Sequence, residues 1–188
     1  MIPAFAKKSE TAIPIYVVES DNLKSISIDL NIADWVITNQ FQAALGKILI
    51  IPNDKGSISS VLVGWGNEVT RSRGRFHMGA AAAQLPMGTY EIISGLSGKD
   101  LEHAHLAWIL SSYCFDRYKK NPIQSAKLKA SKGINTKRIL IEAEGDFLTR
   151  DLVNTPTNDM GPDALEKALG KKAKINFMPL QPGDVPDT

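Results

Sequence analysis

Three histidines, one cysteine and a lysine-rich run are the side chains whose types and spacing could carry chemistry in this sequence. His103 and His105 form an H-x-H pair within a helical pattern. Residues two apart on a helix point about 200° apart, so the two cannot share a metal ion, and the pattern places one or both at the surface. His77 stands alone among arginines, with no partner motif. Cys114 falls in the apolar part of an expected long helix, where nothing nearby in sequence would stabilise a thiolate, so it reads as a buried structural thiol. Gly64-Trp65-Gly66 follows a strand pattern in the manner of a phosphate loop, but it lacks the third glycine and the lysine of the known loops. Glu142, Glu144 and Asp146 cluster at an expected helix start, where carboxylates complement the helix dipole better than they bind metal. H-E-x-x-H, paired Cys-x-x-Cys and G-x-S-x-G do not occur.

The basic run is the broadest feature. Arg117, Lys119, Lys120, Lys127, Lys129, Lys132, Lys137 and Arg138 crowd a stretch whose one nearby acid is Asp116. Phosphate contacts use such residues. The aromatic residues that stack single-stranded bases are not interleaved with them, so a solvated loop is the better reading. Taken by themselves, the residues offer no catalytic, cofactor-binding or metal site.

The elements that must position these groups follow from apolar periodicity. The 188 residues are 43% hydrophobic, enough for one good core. A formal charge of +2 gives no strong prior for nucleic acid or membrane. The single cysteine excludes an intramolecular disulfide and agrees with a reducing compartment. MIPAFAKKSE has no apolar stretch after its lysines, as a secretory signal would, and no run approaches the roughly 20 apolar residues of a membrane helix. A cytoplasmic chain is the expectation.

The β-branched and apolar runs 13–18, 47–51, 59–65, 89–94 and 138–143 read as strands. PNDKGS, between the second and third, is a hairpin signal. Helices are expected at 32–41, 71–85, 99–118, 145–154 and 162–169, and a last strand at 174–178. On the helix 71–85, Phe76, Ala80 and Ala83 share a face, with the run Ala80–Ala83 small enough to pack against a sheet. On the helix 99–118, Leu101, Ala104, Trp108, Phe115 and Tyr118 form the apolar stripe. Strands alternating with helices imply an α/β fold, a three-layer αβα sandwich around a mixed sheet.

Three stretches together resemble the leucyl aminopeptidases, the cytosol-aminopeptidase family. VLVGWG (61–66), with the arginine- and alanine-rich helix after it, resembles the family's non-catalytic domain. LAWILSSYCFDRYKK (106–120) resembles its Ser-Tyr-x-Phe-Asp-x-Tyr helix. RDLVNTPTNDMGP (150–162) resembles the segment that links the two domains and opens the catalytic one.

The resemblance implies a macro-domain-like amino-terminal domain over 1–143, a linker helix over 144–154 and the start of a catalytic domain over 155–188. It also implies a parent enzyme that releases amino-terminal residues from peptides with two divalent ions, zinc or manganese, and that assembles as a homohexamer. One metal-bridging water attacks the peptide carbonyl in such enzymes. The family's metal ligands and catalytic arginine lie beyond the linker, in motifs such as N-T-D-A-E-G-R, and no residue here matches them. The chain is therefore expected to be inactive alone, with peptide bound by the catalytic domain. Binding of DNA, weak and through the basic run, or of a nucleotide by the macro-like fold, is the alternative reading.

Overall fold

A computed structural model describes residues 2–119 and 126–170. The chain divides into two compact units, Met1–Leu148 and Thr149–Thr188. The first is built on a five-stranded sheet.

β1 (Ile13–Glu19) leads through a 3-10 turn into α1 (Leu23–Asp29) and α2 (Ala33–Thr38). The hairpin β2 (Ile48–Pro52) and β3 (Ile58–Gly66) follows, then α3 (Glu68–Arg71), α4 (His77–Ala82), β4 (Gly88–Ser94), α5 (Gly98–Ser111), β5 (Ala126–Lys129) and α6 (Thr136–Asn154). The strand order is β2-β3-β1-β4-β5. β1 runs parallel to β3, with Ile15 opposite Val61 and Val17 opposite Val63, and parallel to β4 on its other side. β2 is antiparallel to β3, and β5 parallel to β4. The fold is a mixed-sheet α/β sandwich, as expected.

Two apolar clusters cover the sheet. On one face Ile15, Val17, Val61, Val63, Tyr90 and Ile92 pack with Met78, Ala81 and Ala82 of α4 and Ala104, Ala107 and Trp108 of α5. On the other, Val18, Leu49, Ile51 and Leu62 pack with Val36 of α2 and with Leu23 and Ile26 of α1. A third cluster joins Ile109 and Leu110 of α5 to Ile139, Ala143 and Phe147 of α6. Strands β1 and β3 therefore receive apolar cover from both sides, which is why their sequences read as unbroken apolar runs rather than alternating ones.

Several expectations are corrected. RILIEA (138–143) is not a strand but lies inside α6. Its buried residues Ile139, Ala143 and Phe147 recur every four positions, the period of a helix face, while Ile141 is exposed. The strand at that edge of the sheet is β5, in the lysine-rich stretch read as a loop. There Ala126 and Leu128 turn inward and Lys127 outward.

The helix expected at 71–85 is two short ones. Asn67 and Thr70 close a capping box on α3, each side chain bonding the other's backbone N–H at 3.0 Å. A loop of closely spaced arginines with Gly74 then breaks the helix before α4. The buried face of α4 is Met78, Ala81 and Ala82, while Phe76, Ala80 and Ala83 are exposed.

The helix expected at 99–118 stops at Ser111. Ser111 and Ser112 turn their hydroxyls back onto the carbonyls of Trp108 and Ile109, at 2.7 and 2.6 Å, and hydroxyls so used compete with the helix ladder. Phe115 and Tyr118 thus lie beyond the helix. The helix expected at 32–41 is shorter, and α1 before it was not foreseen.

The second unit is described as far as Gly170. Its α6 residues end where Thr155 bonds the Asp151 carbonyl through both N–H and hydroxyl. A 3-10 turn, Thr157–Asp159, follows, and α7 (Pro162–Leu169) begins on proline and ends at Gly170 with φ of 62°. This is the helix-turn-helix order expected of the stretch. The strand expected at 174–178 lies outside the described residues.

Candidate functional site

β3 carries the Gly-Trp-Gly motif to the carboxyl end of its parallel neighbour β1. What the motif does there is structural. A Cβ on Gly64 would collide with the Ala44 carbonyl oxygen and sit 2.5 Å from the Ala43 carbonyl carbon. The turn before β2 crosses at that point, with Gly64 N–H bonding the Lys47 carbonyl at 2.8 Å and Gly66 N–H the Ala43 carbonyl at 2.9 Å. The glycines make room for this backbone, so two of the amides that a phosphate loop would present are already taken.

Trp65, between them, opens a cleft of about 270 Å³ lined also by Arg71, Gly74, Arg75, His77, Asp100 and His103. Arg75 and His103 also line an adjoining cleft of about 230 Å³, together with Glu102, Asn135, Arg138 and Glu142. The charges are largely neutralised in place. Arg71 reaches Glu19 at 2.8 Å and donates to the Trp65 carbonyl at 3.0 Å. Arg138 pairs with Glu142 at 2.8 Å, and that hydrogen bond raises the guanidinium above its ordinary value. His77 stacks edge-on against Trp65, ring centroids 5.7 Å apart, and its Nε2 lies 3.2 Å from the Arg71 carbonyl, to which it can only donate.

The histidine pair separates as helical geometry requires. His103 is exposed in the clefts, while His105 is fully buried on another side of α5. Burial lowers the His105 imidazole below its ordinary value. Cys114 is not in a helix. It is half-buried in the irregular segment after α5, which corrects the expectation of a core thiol. Glu142, Glu144 and Asp146 lie in the body of α6 rather than at its start, so dipole complementation does not account for them. Among the described residues, no group of three or more His, Cys, Asp or Glu side chains gathers as metal ligands.

The basic run is partly neutralised by acids. Lys127, Lys132 and Lys137 are exposed, whereas Lys129 pairs with Glu91 across β4 and β5 at 3.3 Å and Arg138 is held by Glu142. Lys120 lies outside the described residues. Two of the arginines that line the clefts, Arg71 and Arg138, are thus held by acids, and nowhere among the lining residues is a nucleophile set against a base. Such an arrangement binds its own loops together. No sequence motif announces Trp65 and Arg71 as a bonded unit, because their link runs through a backbone carbonyl.

Comparison with known proteins places the fold. The family model described as "M17 aminopeptidase, N-terminal domain" matches residues 13–130. Among solved structures, the cytosol aminopeptidase from Coxiella burnetii is 30% identical, with a TM-score of 0.76 over 87% of this chain and 35% of that one. The bottromycin maturation enzyme BotP, solved also in complex with Mn, is similar in fold at 19% identity and a TM-score of 0.61, over 83% of this chain and 35% of that one. A variant of tomato leucine aminopeptidase is similar in fold at 18% identity and a TM-score of 0.59, over 86% of this chain and 39% of that one. A search of curated protein sequences gave no match. The chain spans 35–39% of the length of these solved relatives. The match over 13–130, with 30% identity to a cytosol aminopeptidase over 87% of the chain, makes it a member of the M17 aminopeptidase family, in the family's N-terminal domain.

Proposed function

We propose that this chain is the non-catalytic domain of a cytoplasmic, metal-dependent leucyl aminopeptidase, inactive by itself. The observation that carries the reading is the match of residues 13–130 to an N-terminal domain. In this reading 1–143 is the sheet domain, 144–154 the linker within α6, and 155–188 the beginning of the catalytic domain. A catalytic domain supplies the two zinc or manganese ions, the peptide site and the contacts of a homohexamer. The described residues do not fit such a metal pair, which needs several carboxylates converging on one point. No step through a metal is assigned to this chain.

Its role is then architectural. Paired charges, a tightly crossed Gly64 and two covered sheet faces suit a rigid support for a neighbouring domain. The cytoplasmic assignment is supported by the likeness to a cytosol aminopeptidase, and no helix among the described residues is long and apolar enough to cross a membrane.

The test is hydrolysis of leucine-p-nitroanilide by the purified 188-residue chain with added zinc or manganese. Background rates are expected. Turnover that follows the chain through purification and is lost with chelator would overturn the reading.

A further inference from the structure

The geometry points to His105 as an acid-sensitive latch, which in its neutral form holds the segment between β5 and α6. The ring is buried in α5, with none of its surface exposed. Its Nδ1 lies 2.7 Å from the Leu101 carbonyl oxygen, which can only accept, so Nδ1 carries the proton. Its Nε2 lies 3.1 Å from the Ser131 backbone nitrogen, which can only donate, so Nε2 is the bare acceptor. Both nitrogens are committed, and one neutral tautomer satisfies both partners. This follows from partner chemistry and not from a choice of proton position.

Ser131 is more than a donor. Its hydroxyl bonds the Ile92 carbonyl of β4 at 2.6 Å, and its own carbonyl accepts from Ile134 N–H at 3.3 Å. Ile134 packs in the cluster between α5 and α6. One residue thus ties α5, β4 and the start of α6, and the imidazole is the part of the tie that can titrate.

A proton added at Nε2 points at the Ser131 N–H and converts donor–acceptor into donor–donor. The charged ring gains little in exchange. Glu91 of β4 is the acid whose charge favours the imidazolium, and it is already paired with Lys129 of β5 at 3.3 Å. Lys132, on the latched segment, is exposed and of the wrong sign. Phe5, whose ring centroid is 6.0 Å away, brings no charge.

The sign follows from linkage. Burial lowers the folded-state value below that of the unfolded chain, so the open state takes up the proton more readily. The stability of the latch is fully present above the ordinary histidine value of about 6.5, and is lost as pH falls through the folded-state value.

Hydrogen exchange of the 188-residue chain from pH 7.5 to 4.5, corrected for intrinsic rates, together with ¹⁵N NMR of the imidazole, tests the proposal. The ring should show an unprotonated Nε2 at neutral pH and titrate below 6.5. Ser131 and Ile134 amides should lose protection in step, about tenfold per pH unit below that point, while β3 amides do not. In His105→Gln the side-chain oxygen can accept from Ser131 but cannot titrate, and protection at Ser131 should become flat across this range. A ring that titrates at its ordinary value with Ser131 protection unchanged would overturn the latch. So would acid opening of Ser131 that persists undiminished in a folded His105→Gln chain.

Discussion

Gly79 of α4 lies against Ala107 of α5 so closely that a Cβ added to it would stand 3.1 Å from the Ala107 carbonyl oxygen and 3.3 Å from the Ser111 Cβ. The two helices that cover one face of the sheet meet backbone to backbone at this point. Gly145 of α6, by contrast, would place a Cβ with no atom of the described residues within 4 Å.

These two glycines should respond in opposite directions. Gly79→Val forces α4 and α5 apart and should cost about 1–3 kcal/mol, the usual range for overpacking. Gly145→Ala removes backbone freedom from the unfolded chain and should stabilise by about 0.5–1 kcal/mol. Urea midpoints measured side by side decide. A stabilised Gly79→Val would mean that the crossing is looser than it stands here.

Trp108 is the largest side chain fully buried in the sheet domain. Its indole N–H reaches the Ala126 carbonyl of β5 at 3.4 Å, and its ring lies 6.0 Å from that of Tyr90. Trp108→Ala should lose about 3–5 kcal/mol through lost burial and the cavity left behind. Trp108→Phe should lose less, and the difference should show as faster hydrogen exchange at β5 than at β1. Equal exchange at both strands would remove Trp108 as the link between α5 and the sheet edge.

Trp35 guards the opposite edge. β2 ends the sheet, and the Trp35 indole N–H donates at 3.0 Å to the Ile50 carbonyl. Pro52 closes the strand without an N–H to offer. Trp35→Phe frees that carbonyl on an apolar strand, so the variant should self-associate as its concentration rises, with a stability loss of about 1 kcal/mol. Light scattering over a range of concentrations checks it. A variant that stays monomeric throughout would show that the indole is not what protects the edge.

The strands β1 to β4 were legible because each run's own composition reports its burial. IPIYVV and SSVLVGW contain little that tolerates water, and a segment with apolar needs on both faces fits a covered strand. The resemblance carried by VLVGWG, LAWILSSYCFDRYKK and RDLVNTPTNDMGP was legible for the same local reason. α7 could be read from Pro162 and Gly170, whose backbone preferences need no partner.

RILIEA shows where local pattern stops. Six apolar-rich residues suit a strand as well as a helix, and the choice fell to what covers them: Ile109 and Leu110 of α5 offer a seat to Ile139, Ala143 and Phe147 and leave Ile141 outside. AKLK has only two apolar residues, and it is a strand because the free edge of β4 supplies its ladder. Gly79 serves the close approach of α5, a contact that its own sequence neighbours do not announce. His105 and His103 are one residue apart from being neighbours, yet one is wet and one is locked to Ser131, 26 positions away. The sequence by itself determined the apolar strands β1 to β4 and which family the chain resembles. Only the tertiary structure decided what each of them would meet, because the partner that satisfies a buried group lies far along the chain and is brought near by packing.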